Sequence, residues 1–367
     1  MQLGDQNAKP GYEALDIAAK GPAAVRPAFA NQVAYCEANR APITARICAA
    51  LLAAVASDQP GTLLDRVRNW QGAPLADALP LRLAGGVHAL QLSGTAPQLA
   101  PIYRGEVADD TAIIADVIRQ FEAQLLPWLD GPPQTNEAGR SSNFVAAMLW
   151  LAERGLPPAF DCLEIGSSAG INLMIDRYAY DLAAVLVGPE DAAMRFSPHW
   201  MGPPPPERKI SFASLKGCDV APVDLTDPAQ ALRLKAYIWP EHAIRFERIE
   251  AAIAAATARP PNLVRANAAD FVEAELARPQ PRGVTRVLMH SIVWQYVPEA
   301  QQRRVTQAME AAGARATAEA PLAWIALEAN RTVHRHELRL RYWPGGEGET
   351  LLARAHAHGA EIEWLAG

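Results

Sequence analysis

Apolar residues recur at three- and four-residue spacing through residues 1–133, and then give way to short alternating or continuous apolar runs. After Pro42, the side chains Ile43, Ile47, Leu51, Ala54 and Val55 fall on one helical stripe, with proline where a first turn accepts it. Residues 81–92 read as a second helix despite Gly85 and Gly86. His88 lies inside this apolar segment, where a histidine is expected to be a satisfied core residue. Residues 111–129 read as a helix with Ile114, Val117, Ile118, Phe121, Leu125 and Trp128 on adjoining faces and Asp109 and Asp110 at its positive end. Gly131-Pro132-Pro133 breaks the pattern. A helix carrying Phe144, Met148 and Leu151 follows, ending at Gly155 before Pro157-Pro158.

From Cys162 the period changes. Residues 162–165 read as a short strand, 166–170 as a turn of small residues, and 171–180 as a short helix. Residues 185–206, with Met194, Phe196 and Trp200 alternating before a run of four prolines, read as an inserted hairpin with a proline-rich exit. Strands are expected at 210–219, 263–265, 284–293, 322–327, 337–343 and 360–365, and helices at 241–258 and 301–312. This alternation predicts an α/β fold with a parallel sheet whose ligand lies at the strands' C-terminal ends. A helical region, 1–133, thus precedes an α/β domain, 134–367.

Composition narrows the chemistry. The chain has 367 residues, 50% hydrophobic and 20% charged, enough for one large or two ordinary domains. With 34 Lys and Arg against 40 Asp and Glu it carries a net charge of −6, so a nucleic-acid partner is not expected. No apolar run approaches a membrane span, and residues 1–11 lack the charged head and apolar centre of a secretory signal. Cys36, Cys48, Cys162 and Cys218 are scattered without a C-x-x-C pair, against a disulfide framework or a zinc site. The expected location is the cytoplasm and the expected substrate a small molecule.

The chemistry centres on Glu164-Ile165-Gly166-Ser167-Ser168-Ala169-Gly170. This stretch lacks the third glycine of G-x-G-x-x-G. It spells G-x-S-x-G, which would make Ser168 a hydrolase nucleophile with Asp270 and His290, His356 or His358 as partners. It also spells an acidic residue, an apolar residue and Gly-x-x-x-Gly, in which backbone N–H groups cradle a nucleotide.

In the second spelling, residues 163–365 resemble a class I S-adenosylmethionine-dependent methyltransferase with a Rossmann-like sheet. The resemblance rests on Glu164, Gly166, Ser168 and Gly170 as the nucleotide loop, Asp219 after the second strand, Asp270 after the third, and His290-Ser291 after the fourth. More narrowly, Q-T-N-E-A-G-R ahead of E-I-G-S-S-A-G-I-N-L and D-R-Y-A-Y resembles an uncharacterised bacterial family assigned to that fold.

The resemblance implies S-adenosylmethionine as cofactor, with Asp219 on the ribose and Asp270 on the adenine. Arg140 is expected on the methionine carboxylate, and Glu137 and Asn136 on the ammonium group or the acceptor. Asn172, Ser291, Trp294 and Tyr296 are expected on the acceptor side, with His290 as general base. Ser168 replaces the loop's usual middle glycine, and the insertion at 185–206 accounts for Asp219 lying far beyond the compact spacing of about 20 residues. A catalytically silent nucleotide-binding protein and a serine hydrolase are the alternatives.

Overall fold

The structure, a computed structural model, describes residues 18–134, 136–333 and 335–366. The reading of residues 1–11, and Thr135 within the polar run 134–140, lie outside these.

Two compact units divide the chain. The first joins the N-terminal region, up to residue 135, to the excursion Pro228–Glu247. Its helices Val25–Ala38, Pro42–Ala56, Thr62–Arg68, Leu79–Leu92 and Asp110–Leu125 enclose a core that includes Phe29, Leu51, Leu63, Leu64 and Leu83. Asp109 caps the last of these by accepting from Ala112 N at 3.0 Å. Gly85 and Gly86 sit mid-helix because partners come close. A Cβ on Gly85 would lie 2.6 Å from the Tyr237 ring, and one on Gly86 2.9 Å from Trp128. His88 is a core residue: Nδ1–H donates to Ala236 O at 3.0 Å, the ring stacks on Tyr103, and burial pushes its pKa down to about 4.

The second unit comprises residues 136–227 and 248–367. Its strands are β1 (Ala159–Ile165), β2 (Tyr178–Leu182), β3 (Val185–Val187), β4 (Met194–Phe196), β5 (His199–Met201) and β6 (Ser211–Asp219), then β7 (Asn262–Arg265), β8 (Thr285–Ser291) and β9 (Leu322–Asn330), and finally β10 (Arg335–Trp343), β11 (Gly346–Ala355) and β12 (Glu361–Trp364). Among the described residues, nine strands form one sheet in the order β5-β12-β11-β10-β9-β8-β1-β6-β7. From β7 through β6, β1 and β8 to β9 every pairing is parallel; β9, β10, β11 and β12 then pair antiparallel. The fold is α/β with a large, parallel-rich sheet. β8 is buried at every position, as a strand covered on both faces should be. Helices Ala268–Leu276 and Glu299–Gly313 cover one face through Phe271, Val272, Val305 and Met309 against Leu163, Ile165 and Leu288.

Three sequence expectations need correction. The short helix at 171–180 is a 3₁₀ segment, Asn172–Arg177, that passes directly into β2. The hairpin at 185–206 begins earlier: β2 and β3 form the antiparallel pair, β4 lies parallel to β2, and β5 joins the main sheet beside β12. The C-terminal strands include β11, which the alternation at 337–343 and 360–365 passed over. No helix among the described residues is long and apolar enough to cross a membrane.

Candidate functional site

From β1 the chain runs to β6 and β7 on one side, and later to β8 and β9 on the other. The reversal lies between β1 and β8, and in open α/β sheets the crevice outside the carboxyl ends of such strands receives ligands. Two loops meet there: residues 166–170 after β1 and 292–294 after β8. Gly166 has φ +67°, and a Cβ on it would stand 2.2 Å from Val293 Cγ2. Ser168 and Ile292 both adopt positive φ, +52° and +53°. For a β-branched isoleucine this is a strained conformation, of the kind that surrounding structure holds in place at functional sites.

Asp219, at the end of β6, holds the first loop. Its Oδ2 accepts from Ser168 N and its Oδ1 from Ala221 N, both at 2.8 Å. Asn136 holds the loop's far end, accepting from Ile171 N at 3.0 Å. Asn136, of the polar run, thus contacts the residue that follows the glycine loop, while Arg140 bonds Ala357.

Glu164 is different. It is 1% exposed; its Oε1 accepts from Asn172 Nδ2 at 2.9 Å, while Glu164 Oε2 and Asn172 Oδ1 are buried without a hydrogen-bond partner. Burial pushes its carboxyl up to about 7, against the hydrogen bonds of Asn172 and Ser167 and the charge of Arg140, with Asp219 adding to the rise. Arg140 is 6% exposed and its Nε donates to Ala357 O at 2.8 Å. Glu137, also buried, lies 3.4 Å from Arg248 Nη1.

After β8 the structure departs from expectation. In the β8–β9 register His290 stands opposite Ala326, so Trp324 and Glu328, two residues to either side, share its face. The indole N–H can only donate, so His290 Nε2 accepts from Trp324 Nε1 at 2.9 Å, and Nδ1–H donates to Glu328 Oε1 at 2.7 Å. Both ring nitrogens of His290, expected as a general base, are thus engaged by neighbouring side chains. Glu328 Oε1 also accepts from Val293 N and Trp294 N at 3.1 and 3.2 Å, so it fixes the strained turn. Trp294 stacks on His290 at 5.1 Å, Ser291 is buried, and Tyr296 is 67% exposed.

Asp270, expected on the adenine, stands at a helix start. It lies in the first turn of helix Ala268–Leu276, where Asn267 accepts from Asp270 N and the exposed carboxylate pairs with Arg304 at 2.7 Å. The N-A-A-D spelling is a helix start. Of the hydrolase alternative's residues, Asp270 pairs with Arg304 and His290 with Trp324 and Glu328. His356 Nδ1 accepts from His358 N at 3.2 Å.

A family model described as "Uncharacterized protein conserved in bacteria (DUF2332)" matches residues 26–364. The chain belongs to this family. No curated protein and no solved structure matches it. In this DUF2332 member, sequence reasoning missed Glu328, Trp324 and His336. Glu328 had a signal, an acid near the end of a strand like Asp219. Trp324 had none apart from pairing register. His336 is buried with Nε2 unpartnered, and burial together with Arg140 lowers its pKa to about 4.

Proposed function

We propose that the protein binds S-adenosylmethionine at the β1–β8 reversal and transfers its methyl group to a small-molecule acceptor. The observation that carries the reading is the parallel block β7-β6-β1-β8-β9, the order three-two-one-four-five of a doubly wound nucleotide-binding sheet, with a glycine loop at the carboxyl end of its first strand. The donor set suits such a ligand. The loop approaches at Gly166, and Arg140 brings a guanidinium suited to a carboxylate. Bound cofactor would supply an electrophilic methyl group; Asp219 and Asn136 hold the loop in shape, and Glu328 holds the opposing turn.

Isothermal titration with S-adenosylmethionine and S-adenosylhomocysteine tests the reading. Both should bind, and Arg140→Ala should weaken S-adenosylmethionine by about 1.5–3 kcal/mol, while the decarboxylated cofactor binds variant and parent alike. Absence of binding by both ligands to the parent protein would overturn it.

A further inference from the structure

We propose that Glu164 and Asn172 form the receptor for an α-amine on the methyl acceptor, with Glu164 taking the proton that the amine must lose. The inference rests on the methyl-transfer reading above. Its ground is the pair itself. The two side chains are bonded to each other, both are fully buried, and each keeps one oxygen without a partner. Buried polar atoms without partners are rare because each carries its full desolvation cost. Once Glu164 is ionised, the bonded pair offers two acceptor oxygens, which call for an atom that brings more than one N–H, as an ammonium group does and a hydroxyl does not.

The acidity agrees. The α-ammonium group of a peptide has a pKa of about 8 and that of a free amino acid lies higher, in either case within reach of the value of about 7 to which burial raises Glu164. A hydroxyl, with water at about 15.7 as the guide, lies far out of reach. The other groups facing Glu164 do not compete for the proton. Asp219 is bound by two loop amides, Arg140 is a cation, and the thiols of Cys162 and Cys218 and the phenol of Tyr178 are pushed up by burial. An ammonium group needed only as an anchor would not require a carboxyl whose pKa is raised by burial.

The step balances. R–NH3⁺ gives a proton to the Glu164 carboxylate, and the freed nitrogen lone pair forms the N–C bond as the S–C bond of a sulfonium methyl donor breaks. The product R–NH2⁺–CH3 carries the charge that left sulfur, and Glu164 returns its proton to solvent.

The test titrates the full-length protein at pH 7 with pooled proteinogenic α-amino acids, each beside its des-amino analogue, in two buffers of different ionisation heat. At least one amino compound should bind and release about half a proton, because binding ionises a carboxyl that is half protonated at that pH. Its des-amino analogue, and Glu164→Gln with the parent compound, should each bind about tenfold more weakly or worse, and the variant should lose the proton release. Should the variant fail to fold, the ¹³C-labelled glutamate carboxyl resonances of the parent protein give the answer: one must shift to its ionised position as the amine is added. No binding across the amine panel, unchanged binding in Glu164→Gln, or unmoved carboxyl resonances would overturn the proposal. Competition between the amine and saturating S-adenosylhomocysteine would assign the pair to the cofactor's own amine and overturn it equally. Amine binding in a protein that ignores S-adenosylhomocysteine would support the receptor and remove the methyl-transfer reading instead.

Discussion

Replacing Glu164 with Gln isolates what the fold loses by burying that carboxyl. Gln keeps an oxygen that can accept from Asn172 Nδ2, removes the charge, and puts an amide N–H2 in place of the unpartnered oxygen. The group moves from 4.5 to about 7 on folding, which at 1.36 kcal/mol per unit amounts to about 3 kcal/mol. The sign follows from proton counts. Below pH 4.5 the carboxyl is neutral in both states and nothing is lost. Between 4.5 and 7 the unfolded chain releases a proton that the fold retains, so stability falls as pH rises; above 7 the full cost is present. Urea unfolding at pH 5 and pH 8 should therefore show the stability of Glu164→Gln, relative to the parent, rising by about 2–3 kcal/mol over that interval. Parallel pH profiles for the two proteins would refute the reasoning, because they would mean that Glu164 ionises in the fold as freely as in water.

Gly166→Ala puts a methyl group 2.2 Å from Val293 Cγ2 at φ +67°; the strain and overpacking should cost about 2–4 kcal/mol by urea unfolding, and a loss below about 1 kcal/mol would show that the two loops can part freely. Glu328→Ala leaves His290 Nδ1–H, Val293 N–H and Trp294 N–H without their acceptor. It should cost about 3 kcal/mol, largely recovered in Glu328→Gln, and an unchanged denaturation midpoint would deny Glu328 its hold on the turn. Asp219→Asn places an amide N–H2 against a loop N–H and should weaken S-adenosylhomocysteine by about 1–2 kcal/mol in titration. Asp270→Asn, whose carboxylate is exposed and paired with Arg304, should leave that affinity unchanged; a matching loss would restore its adenine role.

The helices and most strands were legible from residue order because their signals are local. An apolar stripe repeats every three or four residues, Asp109 caps the turn that follows it, and Gly-Pro-Pro stops a helix within its own few bonds. The glycine loop was legible for the same reason, since Gly166 and Ser168 are set by backbone angles at adjacent positions. The signals that misled were ones that two environments write alike. Asn267-Ala-Ala-Asp270 reads as a strand-end acid and is a helix cap. The partners of His290 were not legible, because Trp324 and Glu328 arrive on a strand some thirty-odd residues later and share its face only in the register that places Ala326 opposite it. Strand order, the meeting of Gly166 with Val293, and the unpartnered oxygens of Glu164 and Asn172 were likewise settled only by tertiary structure. Residue order alone determined most of the helices, strands and turns, because local geometry costs the same wherever a segment is placed. Which polar groups end up sharing buried space was decided by pairing across the sheet, where shifting a strand by one residue turns every side chain to the other face.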